Sequence, residues 1–186
     1  MTPQETDTAP TRDRILTVAA DLFSRHGYAA TPLSDIAAAL GITKAALYYH
    51  YRSKDEILDA IMAEAVAALG VLAERARAGT ASPEELLAGL IDMATRSGTM
   101  VAAFANDPSI RTVIEERATQ HDIHGKLNAV LAALAGPEPD AASAIRARAA
   151  YAVAKETTAA LLLEHGGTLP ADARAEILAA ALRALG

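Results

Sequence analysis

The chain has 186 residues, 52% of them hydrophobic, with no cysteine and a formal net charge of −6. That much apolar material supports a packed core and argues against disorder. The lack of cysteine excludes disulfides, iron–sulfur clusters and cysteine-ligated zinc, and fits a reducing compartment. Alanine and leucine dominate, β-branched residues are sparse and aromatics are only 4%, so the expected fold class is all-α.

Residues Met1 to Pro10 carry neither a basic nor an apolar stretch and read as a disordered tail rather than a signal peptide. A first helix is expected from Arg12 to His26, with Thr11 as N-cap and Gly27 just past its end. Its apolar face is Ile15, Leu16, Ala19, Leu22 and Phe23. Thr31 is placed to cap a second helix, with Pro32 at its first position and Leu33, Ile36, Ala37 and Leu40 on its inner face. Gly41 breaks that helix, and Thr43 caps a short third one from Lys44 to Tyr49 or His50. Two short helices joined by a tight glycine-containing turn make a helix-turn-helix.

Ser53 and Glu56 form a capping box that opens a long fourth helix to Ala78. Ser82-Pro83-Glu84-Glu85 is a second box and opens a fifth. Asn106-Asp107-Pro108 restarts the chain for a short sixth helix, and a seventh runs from Thr119 to Ala135. Gly136-Pro137-Glu138-Pro139 is a break. One long eighth helix spans Asp140 to His165, and a ninth follows Pro170. No uncharged apolar run approaches the ~20 residues of a membrane span, so a cytoplasmic protein is expected. The charge is uneven. Residues 11–54 hold six basic and three acidic residues, +3, whereas residues from Asp55 onward hold eleven basic and eighteen acidic, −7. A basic N-terminal module on an acidic body can still meet phosphates.

The segments R-I-L-T-V-A-A-D-L-F-S-R-H-G-Y, L-S-D-I-A-A-A-L-G-I, T-K-A-A-L-Y-Y-H-Y and R-S-K-D-E-I-L together resemble the TetR family of bacterial regulators over Thr11 to Ala63, the first third of the chain. The resemblance implies an N-terminal three-helix, helix-turn-helix DNA-binding domain (11–54) and a helical ligand-binding and dimerisation domain (55–186), about nine helices in all. It also implies a homodimer on double-stranded DNA with a palindromic operator, released by a small-molecule effector of unknown identity, and no cofactor. Two readings from other classes stand beside it: a DNA-architectural protein without a ligand, and an enzyme with an appended DNA-binding head. No nucleophile–base pair, phosphate-cradling glycine loop or paired-carboxylate site is evident.

In that frame helix three lies in the major groove. Lys44, Ala45 and Ala46 stand at its N-terminal end, where Lys44 can donate to guanine and the alanines offer methyl groups. Tyr48, Tyr49 and His50 are expected at phosphates, as are Thr31 and Thr43 at helix starts; the resemblance adds Lys54 as a phosphate contact. Leu47 and Tyr51 read as core. Arg12 and Arg14 read equally as groove contacts or as a solvated helix start. Met93, Arg96, Met100, Phe104 and Tyr151 are the candidate effector-pocket residues, with Arg96 as an anion anchor and the apolar ones as adaptable lining. Ile177, Leu178 and Ala181 are the expected dimer-interface residues of the last helix. His121 and His124, three residues apart in helix seven, share one face, so a metal site is conceivable, but no third ligand is evident, and no metal is expected.

Overall fold

A computed structural model describes residues 8–104 and 108–186, with side chains described for residues 11–96, 110 and 112–186. Every regular element among them is helical: α1 (Thr8–His26), α2 (Leu33–Leu40), α3 (Lys44–His50), α4 (Lys54–Arg77), α5 (Pro83–Phe104), α6 (Pro108–Gln120), α7 (Ile123–Ala135), α8 (Ala141–Ala152), α9 (Thr158–Glu164) and α10 (Ala173–Leu185), with a π-helical turn at Val153–Thr157. The all-α fold follows the composition. No described helix is long and apolar enough to cross a membrane.

The helix starts are written in side-chain chemistry. In the box at Ser82, the Glu85 amide donates to Ser82 Oγ (3.2 Å) and the Ser82 amide donates to a Glu85 carboxylate oxygen (2.7 Å). Two otherwise orphaned donors are thereby satisfied. These bonds, with Arg75 beside them, hold the Glu85 carboxyl below its usual range. Asp140 caps α8 by accepting from the Ser143 amide at 2.7 Å.

Several boundaries differ from the sequence reading. Thr8 to Pro10 belong to α1 rather than to a tail, while residues 1–7 lie outside the described part. The helix expected from Thr119 instead ends α6 at Gln120 and starts α7 at Ile123. Between them Asp122 adopts a left-handed conformation (φ 50°) and caps α7 through the Gly125 amide. A Cβ on residue 125 would stand 2.3 Å from that carboxylate, so a side chain there would have to push the capping carboxylate aside. His121 therefore lies at the corner and His124 inside α7, and the shared helical face expected of them does not form. The long eighth helix is interrupted. Just past the π turn the buried Thr158 hydroxyl donates back to Ala154 O at 2.6 Å, the kind of back-bond that accompanies a bent helix.

The chain divides into two compact units. The first comprises the residues up to Ala63 with Ala103–Val113, and the second Glu64–Ala102 with Ile114–Gly186. In the first, Ile15, Ala19, Phe23, Ile36, Leu47, Ile57 and Leu58 are fully enclosed. In the second, Leu72, Ala73 and Ala76 of α4 meet Leu86, Leu87, Leu90 and Ile91 of α5, Val130 and Leu134 of α7, Ala147 and Ala150 of α8, and Ile177 and Ala181 of α10. Gly89 lets α4 and α5 approach closely, since a Cβ there would meet Leu72 Cδ2 at 2.5 Å. Each leucine buried in this way contributes about 1.5–3 kcal/mol. Arg174 of α10 grips Asp92 of α5 through two bonds of 2.6 and 2.9 Å.

Candidate nucleic-acid interface

The first unit builds one helix with a strongly divided surface. Thr43, in extended conformation, caps α3 by accepting from the Ala46 amide at 3.1 Å. Its alanine replacement would cost about 0.5–2 kcal/mol. Gly41, at φ 69°, ends α2 with the left-handed conformation that frees the Ile42 amide to bond Ala37 O, which sets the tight turn between α2 and α3. Leu47 is fully buried and Tyr51 is 2% exposed, as their positions predicted. Lys44 and Ala45 are exposed on the other side, with Tyr48 at 43% and Tyr49 at 80%. Positions 44, 45, 48 and 49 fall on one side of a helix, so this helix turns one cation, one methyl and two phenols outward together.

The outward groups are partly pre-arranged. The Lys44 ammonium lies 5.7 Å from the Tyr48 ring centroid, and the Tyr49 and His50 rings meet edge to face at 5.4 Å. Ala46 and His50 are half-buried. Behind α3, Arg12 Nε donates to the Tyr51 hydroxyl at 3.2 Å while its guanidinium lies 4.9 Å over the same ring. Arg12 is thus tied to the end of α3, a role its place in the sequence did not reveal. Arg14 is exposed.

Two expected phosphate contacts are placed differently. Thr31 is fully buried. Its hydroxyl lies 2.8 Å from Gly27 O and 3.3 Å from Leu22 O, and its amide bonds Tyr28 O. The N-cap position of α2 is Pro32, with no side-chain cap. Thr31 is therefore spent on the end of α1 and does not join the exposed set. Lys54 turns its ammonium to the carbonyls of Tyr28 and Ala29 (3.3 Å to the latter) and over the Tyr28 ring at 4.3 Å. Burial lowers its pKa, with Asp55 opposing.

In the second unit the expected effector residues separate. Met93 and Tyr151 both pack against the apolar core, and burial raises the Tyr151 hydroxyl pKa. Arg96 instead faces outward, 52% exposed, with Nε 3.3 Å from a Glu64 carboxylate oxygen; it is not an inward anion anchor. The side chains of Met100 and Phe104 lie outside the described residues. Ile177 (3% exposed) and Ala181 belong to the chain's own core, with Leu178 packed against it. That phase turns Ile177 and Ala181, expected at an interface between copies, into the chain's own core and leaves Leu178 half-buried. The outward face of α8, the π turn and α9 carries Ile145 at 67% and Leu163 at 52% exposure, along with exposed Ala149, Ala152 and Ala160.

Residues 15–61 match the family model described as bacterial regulatory proteins, tetR family. The negative transcriptional regulator IcaR of the biofilm operon icaADBC of Staphylococcus epidermidis is 50% identical over 46 residues, 25% of each chain. The match thus spans about a quarter of that relative's length. The crystal structure of PfmR, a TetR family transcriptional regulator from Thermus thermophilus, is 29% identical, with a TM-score of 0.56 over 93% of this chain and 97% of that one. A transcriptional regulator from Aquifex aeolicus shares the fold at 22% identity, with a TM-score of 0.68 over 95% of this chain and 99% of that one. The helix-turn-helix part of the chain is thus similar to the TetR family of bacterial regulatory proteins, and the fold of nearly the whole chain is similar to that of solved regulators of this kind.

Proposed function

We propose that this chain is a DNA-binding transcriptional regulator, a repressor that leaves a palindromic operator when its helical body takes up a small-molecule effector. The observation that carries the reading is the divided surface of α3, with Leu47 and Tyr51 inward and Lys44, Ala45, Tyr48 and Tyr49 outward. Lys44 supplies a donor for a guanine edge and Ala45 a methyl for close approach. Ala46 and the capping Thr43 lie at the helix start, and Tyr48, Tyr49 and His50 supply donors for flanking phosphates. The printed name of the Staphylococcus relative, a negative regulator, supports repression over activation. Nothing in this arrangement calls for catalysis or a cofactor.

A two-fold dimer supplies the second half-site, and it forms across the face of α8 and α9 bearing Ile145, Ala149, Ala152 and Leu163. The effector lodges among α4, α5, α7 and α8 of the second unit, beside Met93 and Tyr151. With Arg96 paired outward to Glu64, an acidic effector is no longer favoured. Selection from a random duplex pool, followed by footprinting, tests the reading. It should return one short palindrome bound in preference to bulk DNA; enrichment of no sequence at any salt would overturn it.

A further inference from the structure

Two opposite charges sit symmetrically in the outward face of α8, the π turn and α9. Ile145 and Leu163 lie toward the ends of that face, 67% and 52% exposed, with exposed Ala149, Ala152 and Ala160 between them. Arg148 and Glu156, both exposed, lie four residues before and four residues after Ala152. Four residues of α-helix make slightly more than one turn, so Arg148 and Ala152 lie near one line. The wider π turn at Val153–Thr157 takes the next four residues through less rotation, which brings Glu156 back onto the line of Arg148. Neither charge is used up within the chain. Among the described residues, Arg148 reaches only the Ala144 carbonyl, 3.5 Å away on its own helix. Glu156 meets the Lys155 ammonium at 3.0 Å through one carboxylate oxygen, and its side chain is 69% exposed. Arg146, by contrast, donates to Leu185 O at the end of α10.

A two-fold axis at right angles to a helix sets it antiparallel to its copy, with each residue facing its mirror position about the crossing point. With the crossing at Ala152, Arg148 of each copy faces Glu156 of the other. The same register sets Ile145 against Ala159 and Ala160, and Leu163 against Ala141 and Ala142, so large faces small at both ends. A parallel two-fold pairing would instead set Arg148 on Arg148, Glu156 on Glu156 and Ile145 on Ile145. Alanine at 149 and 152 lets the two helix axes close to roughly 8 Å, where an unmatched charge is costly. We propose that this helix crosses its own copy antiparallel at Ala152, and that the reciprocal Arg148–Glu156 pairs select a second copy of this chain as the partner. The proposal rests on the dimer reading above and fixes the register and selectivity of that interface.

Sedimentation equilibrium of the full chain tests it without DNA. Arg148→Glu and Glu156→Arg lie at exposed sites outside the chain's core. Each should weaken the dimer by about tenfold or more, because each variant's own dimer brings two like-charged pairs together. Mixed in equal amounts, the two variants should form a mixed dimer, in which both pairs are opposite again. The double variant Arg148→Glu/Glu156→Arg should recover most of the wild-type affinity. Its Lys155 bond is lost just as in Glu156→Arg, so the recovery reads the contact between copies. Ile145→Asp tests the face itself and should yield monomers. Charge variants that dimerise like wild type while Ile145→Asp dissociates would overturn the proposal and leave the dimer face in place, as would a double variant no tighter than either single one. A monomeric wild type, or a dimer untouched by Ile145→Asp, would overturn the dimer face and the proposal with it.

Discussion

The two units of this chain are stabilised in different languages. The first sets the ends and joints of its helices with particular polar atoms: the Thr43 cap, the Thr31 hydroxyl on Gly27 O, Arg12 on Tyr51, and Tyr28 between Lys54 and Asp55. The second joins its helices through buried sides of leucine, isoleucine, valine and alanine, with polar fixtures such as Arg174–Asp92 at the margins. Polar joints demand one residue type at one position, and a helix so held can present a fixed outward face. Apolar packing tolerates exchange provided volume and pattern are kept. That contrast accounts physically for sequence matches that stop near residue 61 while structural likeness runs across nearly the whole chain.

The contrast can be broken most forcefully in the second unit. Ile177→Glu places a carboxylate at a 3% exposed site with no partner, and should abolish cooperative unfolding of that unit or cost upwards of about 3 kcal/mol. Leu178→Glu, on the half-buried flank, should cost distinctly less. Equal losses in urea melts would contradict the assigned phase of α10. In the first unit, Leu47→Ala removes the fully buried anchor of α3 and should cost about 2–5 kcal/mol, with operator binding lost alongside; denaturation followed by tyrosine fluorescence reads it.

Smaller effects sharpen the comparison. Thr43→Ala should cost about 0.5–2 kcal/mol through the lost cap, whereas Thr43→Ser should restore most of it. A thermal melt that treats both variants alike would exclude capping as the reason for threonine there. The smallest effect belongs to the margin of the second unit. The Arg174 hydrogen bonds are the first cause holding the Asp92 carboxyl below its ordinary range, against partial burial. A carboxyl depressed on folding adds stability that is present above its unfolded pKa and fades as pH falls through the folded value. Both side chains are more than a third exposed, so solvent screening keeps this under about 1 kcal/mol. Asp92→Asn should remove that part of the acid-side slope of stability and change little at neutral pH.

How much could be read beforehand followed the same division. Capping residues, helix-breaking glycines and the run Lys44 to His50 placed α3 within a residue, because each of those residue types has a local reason to be where it is. The joints were hidden: nothing in the spacing of Tyr28 and Asp55, or of Arg12 and Tyr51, shows that they meet. In the second unit the last helices are rich in alanine on every side. With so little contrast between faces, the sequence could not show that Ile177 and Ala181 point inward while Ile145 and Leu163 point out. The π turn at Val153–Thr157 shifts the phase further, and periodicity read as an unbroken helix runs through it.

The central claim is that the outward face of α3 reads DNA, and Lys44 offers the most direct test because it is exposed and, among the described residues, approaches only the Tyr48 ring. The measurement is a binding titration of wild type and Lys44→Ala against the selected palindrome and against a scrambled duplex at one fixed salt. The account predicts a loss of about 1–3 kcal/mol on the palindrome, a smaller loss on the scrambled duplex, and unchanged thermal stability. Wild-type discrimination between the two duplexes in the variant would contradict it.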